Sequence, residues 1–252
     1  MARKSSASAR RPAAVRSRRQ PADRPKNRLL ASLPGEDYAR IRPHLETVPL
    51  TVKGVLLKRG APIRHVYFPN GGVCSITAMM ENGTAVEVAT VGDEGMIGIA
   101  AFFGGDVMPG ESMVQVPDTS AERMTATAFR RELDTHGALY RAVSRYAQAT
   151  MTLMMQSTAC MGLHHVEQRC CRWLLMTHDR IRSDRFSLSH EFLAMMLGSS
   201  RPTVTVVARK LQQAGLIRYT HAKVTILDRP GLEAMSCECY ATVKAAFDRL
   251  GL

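Results

Sequence analysis

The chain has 252 residues, 45% of them apolar, and a formal net charge of +12. That apolar share supports a sizeable core and excludes global disorder. No stretch approaches the ~20 uninterrupted apolar residues of a membrane span, and the charged N-terminus has no apolar run behind it, so neither an anchor nor a secretory signal is expected.

The basic charge is concentrated in two places. Residues 1–28 carry +9, 29–179 carry −2, 180–229 carry +6 and 230–252 carry −1. Such patches suit acidic polymers, with DNA or RNA ahead of a membrane surface. Residues 1–26 are mostly Arg, Ala, Ser and Pro, a composition that cannot offset the entropy of ordering, and a disordered arm is expected through residue 28. Order should begin near Leu29 and Leu30, followed by a short helix around Pro34–His44.

Eleven of the 18 glycines lie between Gly54 and Gly110. They punctuate short alternating segments, among them Val73 to Met79, and Asn82-Gly83 is a hairpin signal. A β-sandwich or barrel is expected over roughly 45–128. Ala121 to Arg182 contains no proline and two glycines, and it reads as helix, most of it one long helix. Within it, Leu139, Val143, Tyr146, Thr150, Leu153, Ser157 and Cys160 follow a 4,3,4,3,4,3 spacing. This heptad seam predicts a dimer interface, although a helix packed on its own domain has the same pattern.

The sharpest local signal lies in residues 187–227. Ser189 is a good helix N-cap, and Leu188 with Leu193 can form a hydrophobic staple. Gly198 suits the end of that helix. Ser200 caps a second helix, in whose first turn Pro202 is tolerated. On this second helix Val204, Val207, Ala208 and Leu211 share one face and form a core stripe. Pro202, Thr205, Val206, Arg209 and Gln213 lie opposite, with Arg201 projecting from the N-terminal end. A helix pair with a short glycine-containing turn is a helix-turn-helix. Two short strands joined at His221-Ala222-Lys223 then read as a β-hairpin wing.

The run from Leu188-Ser189-His190-Glu191 through Gly198-Ser199-Ser200-Arg201-Pro202-Thr203-Val204 to Leu216-Ile217 resembles the motif of the Crp/Fnr transcriptional regulators. Upstream, His65-Val66-Tyr67-Phe68-Pro69 and Val91 to Gly98 resemble the sensor domain of one branch of that family. Val166-Glu167-Gln168-Arg169 and Trp173-Leu174-Leu175 resemble its link helix. The resemblance implies an α+β fold with an N-terminal β-roll, a cyclic-nucleotide-binding-like jelly roll, then a long dimerisation helix and a C-terminal winged helix-turn-helix. The expected divisions are 1–28, 29–136, 137–180 and 181–252. The partners it implies are double-stranded operator DNA and a second copy of the chain, with RNA polymerase a further candidate and the effector unidentified.

Position by position, the resemblance makes Arg201 the reader of guanine, Ser200 a phosphate-contacting cap and Arg209 a basic residue near the backbone. Thr203, Thr205, His221 and Lys223 complete the expected DNA-binding set with Pro202 and Val206. Pro202 stands where a glutamate often sits, and Val206 where a second arginine is frequent, so contacts to thymine methyls are expected there. The cyclic-nucleotide cassette is degenerate. With Gly98 at the family's glycine, Ile99 replaces the ribose-binding glutamate, although a shifted alignment offers Glu94. No Lys or Arg lies between Arg64 and Arg123, so a cyclic phosphate would lack its cationic partner, and Glu111 would repel it. Cyclic AMP is therefore not an expected ligand.

No cofactor or metal is expected. No cysteine precedes Cys74, against the pattern of the family's iron–sulfur sensors, and Cys237-x-Cys239 is not a zinc-knuckle spacing. His164 and His165 read as solvated helix residues, and all six cysteines as reduced cytoplasmic thiols. A cupin-like enzyme would need metal ligands in the barrel, where only His65 occurs. An RNA- or membrane-surface-binding protein acting through the arm would leave the winged helix unexplained. The expectation is a cytoplasmic, non-enzymatic regulator.

Overall fold

In the computed structural model, which describes residues 24–116 and 120–252, the chain begins on a buried cap. Asn27 Oδ1 accepts from Leu30 N at 3.0 Å, while its Nδ2 donates to the carbonyls of Pro69 and Gly95 at 2.8 and 3.0 Å. This side chain starts helix α1 (Arg28–Ala31) and ties it to two later loops. The expected arm is therefore too long at its C-terminal end: Asn27 belongs to the folded body, and residues 1–23 lie outside the described residues. Helix α2 (Gly35–Ile41) and a 3-10 turn at Arg42–His44 follow where the short helix was expected.

Strands β1 (Glu46–Pro49), β2 (Val55–Leu57), β3 (His65–Pro69), β4 (Val73–Met79), β5 (Ala85–Val91), β6 (Glu111–Val116) and β7 (Ser120–Thr125) form two antiparallel sheets. Their orders are β1-β7-β3 and β2-β6-β4-β5. Gly83, at φ +82°, turns the β4–β5 hairpin, and Asn82 Oδ1 accepts from Thr84 N inside that turn. Phe68 and Phe129 meet edge-on in the core at 6.4 Å between ring centroids.

The helical region differs from expectation at its start. Residues 121–125 are strand, because β7 is the central strand of its sheet, paired to β1 and β3 at once, with Ala121 and Met124 turned into the core. Helix α3 (Ala126–Asp134) begins only after β7, capped by Thr125. His136, at φ +50°, separates α3 from α4 (Ala138–Leu163), and the extended residues His164 and His165 separate α4 from α5 (Val166–Ile181). Among the described residues no helix is long and apolar enough to cross a membrane.

The heptad seam of α4 faces inward. Leu139, Val143, Tyr146, Thr150, Leu153, Ser157 and Cys160 are all buried within the protomer. Tyr146 donates to the Met96 carbonyl of the roll at 3.2 Å and meets Phe247 of the C-terminal helix at 6.3 Å. The expectation that these seven face a partner is thus corrected: a helix laid between the roll and the chain's own C-terminus shows the same spacing. The opposite face carries the exposed Gln148, Met151, Met155 and Thr158, with Met151 56% and Met155 70% exposed.

Beyond α5 the chain forms β8 (Arg185–Ser187), α6 (His190–Met196), α7 (Arg201–Gln213), β9 (Ile217–Thr220), β10 (Lys223–Ile226), α8 (Arg229–Met235) and α9 (Cys239–Asp248). The three strands make a small sheet in the order β8-β10-β9. Helix α6 rests on the β4–β5 face of the roll, where Ser75 Oγ lies 3.4 Å from Met196 Sδ. Nearby, Trp173 of α5 donates to Glu87 of β5 at 2.9 Å.

Candidate nucleic-acid interface

Each helix of the pair starts on a hydroxyl cap. Ser189 Oγ accepts from Phe192 N at 3.1 Å, and Ser200 Oγ from Thr203 N at 3.3 Å. Such caps satisfy amides that have no partner inside the helix. Leu188 and Leu193, the expected staple, are both buried. Gly198, at φ +54°, turns the chain between the helices. A Cβ there would also crowd two neighbours, standing 2.6 Å from Met161 Cε of α4 and 3.0 Å from Val86 Cγ2.

Helix α7 is two-faced. Val204, Val207, Ala208 and Leu211 are buried, while Arg201, Pro202, Thr203, Val206 and Arg209 are exposed, Val206 to 52%. Its first turn holds no acid, so the positive end of the helix and Arg201 present the same sign outward. Thr205 is half-buried: its hydroxyl donates to the Arg201 carbonyl at 2.9 Å and lies 3.0 Å from His190 Nδ1. It ties α7 to α6. The exposed cation Lys210, which the sequence reading passed over, reaches Glu167 of α5 at 3.1 Å.

The wing is fixed to both helices. The Tyr219 ring lies 4.4 Å from that of His190, its hydroxyl donates to the Leu188 carbonyl, and its amide donates to Gln212 Oε1 at 2.9 Å. Burial, helped by the Arg201 charge, holds the His190 imidazole below its ordinary value and so favours the neutral ring. The hairpin turns on two residues, His221 and Ala222, both at positive φ, and Lys223 is the first residue of β10. His221 and Lys223 are exposed at the tip, and Arg218 adds an exposed cation on β9.

In the roll, Gly98 at φ +95° opens a 3-10 turn at Ile99–Ala101. Glu94, the alternative ribose ligand, is instead paired with Arg180 of α5 at 2.9 Å. Ser200, Arg201, Pro202, Thr203, Val206 and Arg209 share one exposed surface of the helix pair. Sequence periodicity could reveal that surface; it could not reveal Thr205 and His190 as an internal tie, because their bond depends on how α6 crosses α7.

Residues 168–235 match the Crp-like helix-turn-helix domain. The transcriptional regulator LdrP of Thermus thermophilus is 25% identical over 189 residues, covering 72% of this chain and 92% of the relative. Among solved structures, FixK2 of Bradyrhizobium japonicum superposes with a TM-score of 0.66 at 14% identity, covering 77% of this chain and 98% of that one. The c-di-GMP-responsive global regulator CLP of Xanthomonas campestris gives 0.65 at 15%, covering 77% and 100%. A β-sheet domain joined through long helices to a winged helix-turn-helix defines a DNA-binding transcription regulator. Residues 168–235 carry a Crp-like helix-turn-helix domain, and the fold as a whole is that of Crp/Fnr-type regulators.

Proposed function

We propose that the protein binds operator DNA as a homodimer, reading base edges with the exposed N-terminal end of α7. The observation that carries this reading is the exposure of Arg201, Pro202, Thr203, Val206 and Arg209 on a helix whose other face is fully packed. Arg201 supplies the fork for the two acceptors of guanine, and Pro202 and Val206 offer apolar contact to thymine methyls. Ser200, Arg209 and, from the wing, His221 and Lys223 reach phosphate oxygens, which position the protein without carrying sequence information. Thr205 supports Arg201 from beneath. A two-fold dimer sets two recognition helices about one turn of DNA apart, ~34 Å. The partner copy is assigned to the free face of α4, at Met151 and Met155.

The roll is a sensor for a signal other than cyclic AMP. Its interior sequence lacks the cation that a cyclic phosphate needs, and Glu94 is already engaged by Arg180. Calorimetry with cyclic AMP and cyclic GMP is expected to give no saturable heat. The basic segment 1–23 adds non-specific affinity, so its deletion is expected to flatten the salt dependence and leave the preferred site unchanged. No catalytic arrangement is assigned to the chain, which acts in the cytoplasm beside the DNA it controls.

Selection of bound sequences from a random duplex pool tests the central claim. The full chain is expected to enrich a two-fold symmetric site, and Arg201→Ala to lose ~1–3 kcal/mol of binding and relax one position of each half-site. Unchanged specificity in Arg201→Ala would assign base reading elsewhere.

A further inference from the structure

Three thiols and an imidazole that the sequence keeps far apart converge beneath the end of α4. Cys160 and His164 come from its last turn and C-cap, and Cys237 and Cys239 from the approach to α9 and its first residue. Their ligand atoms lie within 4.8 Å of one another. Cys160 Sγ is 3.5 Å from Cys237 Sγ, and Cys239 Sγ is 3.4 Å from His164 Nδ1. Bonds of ~2.3 Å to sulfur and ~2.0 Å to nitrogen put tetrahedral ligand atoms roughly 3.5–3.8 Å apart. Two of the six separations match those values, and all six lie within 4.8 Å, close enough for one ion to draw the four groups together.

The surroundings also suit a metal. His164 turns Nε2 to Glu238 Oε1 at 3.2 Å, an arrangement that fixes the ring with Nδ1 facing the thiols. Gln156 Nε2 donates to Cys239 Sγ at 3.1 Å and so helps to orient that sulfur. Arg169 and Arg172 of α5 are both buried, and the Nε of each lacks a hydrogen-bond partner. Arg169 interacts electrostatically with Cys160 and Cys237, and Arg172 with Cys160, although Arg172 also acts on Glu87. Among the described residues its hydrogen bonds run to neutral Ser157 Oγ and Met176 Sδ. Two buried guanidiniums beside thiols call for negative charge.

We infer that Cys160, His164, Cys237 and Cys239 form a structural zinc site that fastens the end of α4 to the start of α9. Loading one Zn²⁺ releases the three thiol protons to solvent and leaves a centre of net charge −1, which the two arginines offset. No redox change is involved. With four protein ligands there is no open position for a substrate, and the soft sulfur-rich set selects zinc over magnesium or calcium. His164 is accordingly only 18% exposed at its side chain, not a solvated helix residue. The spacing of Cys237-x-Cys239 alone could not disclose the site, because its other half lies some 75 residues upstream.

Metal analysis of the full chain, purified under reducing conditions and dialysed, is expected to find one zinc ion per chain, released by a mercurial reagent. Exchange with Co²⁺ is expected to give intense tetrahedral ligand-field bands and thiolate-to-cobalt charge transfer. Cys239→Ser should weaken both, and His164→Cys, which keeps four ligands, should retain binding with stronger charge transfer. Cys74→Ser, in the roll, should change neither. Trace zinc and no cobalt spectrum in the reduced wild-type chain would overturn the inference. So would cobalt spectra unaltered by both ligand variants, or a Cys160–Cys237 disulfide in metal-free protein purified without reductant.

Discussion

Arg180 on α5 and Glu94 in the loop after β5 form an ion pair at 2.9 Å in which each side chain is only 8% exposed. The pair bolts the link helix to the roll. Arg180 also donates to the Met176 carbonyl at 2.8 Å and lies 5.6 Å from the centre of the Phe247 ring, so one side chain joins the roll, α5 and α9. Removing one member of a buried pair strands the other charge. Arg180→Met is expected to cost ~3–5 kcal/mol in urea unfolding, and adding Glu94→Gln to recover most of that loss. A single variant as stable as the parent would refute the role assigned to the pair.

A second prediction concerns pH. Burial beneath Trp173 pushes the Glu87 carboxyl from 4.5 up to about 7, against the lowering effects of Ser75, Trp173, Arg172 and Arg180. Between those values the folded chain holds a proton that the unfolded chain has released. Stability therefore falls as pH rises from about 4.5 through about 7, by ~1–3 kcal/mol given the partial solvent contact of this residue. Glu87→Gln is expected to raise the melting temperature at pH above this window and leave it unchanged below. Equal effects at both ends would place the titration elsewhere.

Gly198→Ala meets two obstacles, a left-handed backbone and the close approach of Met161 Cε at 2.6 Å and Val86 Cγ2 at 3.0 Å. Met161 can swing aside, whereas the branched Val86 is stiff. A destabilisation of ~1–2 kcal/mol from the backbone alone is expected, with the steric part relieved by Val86→Ala. Thermal unfolding of the single and double variants separates the two contributions.

The two faces of α4 predict opposite outcomes for one kind of substitution. Leu153→Asp places a charge in the protomer core and is expected to unfold the chain. Met155→Asp, at a residue 70% exposed in the protomer, is expected to give a folded monomer by light scattering and circular dichroism. A Met155→Asp chain that stays dimeric would move the interface off this helix.

The sequence made the winged helix legible because its signals are local: Ser189 and Ser200 cap neighbouring amides, and the Val204 to Leu211 stripe has helical period. It misjudged the α4 seam because a heptad records that a face is buried and says nothing about which chain buries it. Residues 121–125 fall in both the β span expected over roughly 45–128 and the glycine- and proline-poor stretch that suggests helix, and the pairing to β1 and β3 that decides between them is non-local. The convergence of Cys160 and His164 with Cys237 and Cys239 was invisible for the same reason. Contacts made across long stretches of chain leave no period to read.

His221 and Ala222 hold left-handed backbone at the wing tip without a glycine between them. Each such residue carries an energetic penalty that glycine would avoid. The β8-β10-β9 register and the bond from Leu188 N to the Ala222 carbonyl at 2.8 Å keep the turn closed regardless. The imidazole of His221 and the ammonium of Lys223 consequently stand on a tip whose shape is set before any duplex arrives. A glycine tip would be looser, and approach to DNA would then have to freeze it. Here the turn is already ordered in the folded chain, so the phosphate contacts proposed for His221 and Lys223 would cost this hairpin little further entropy.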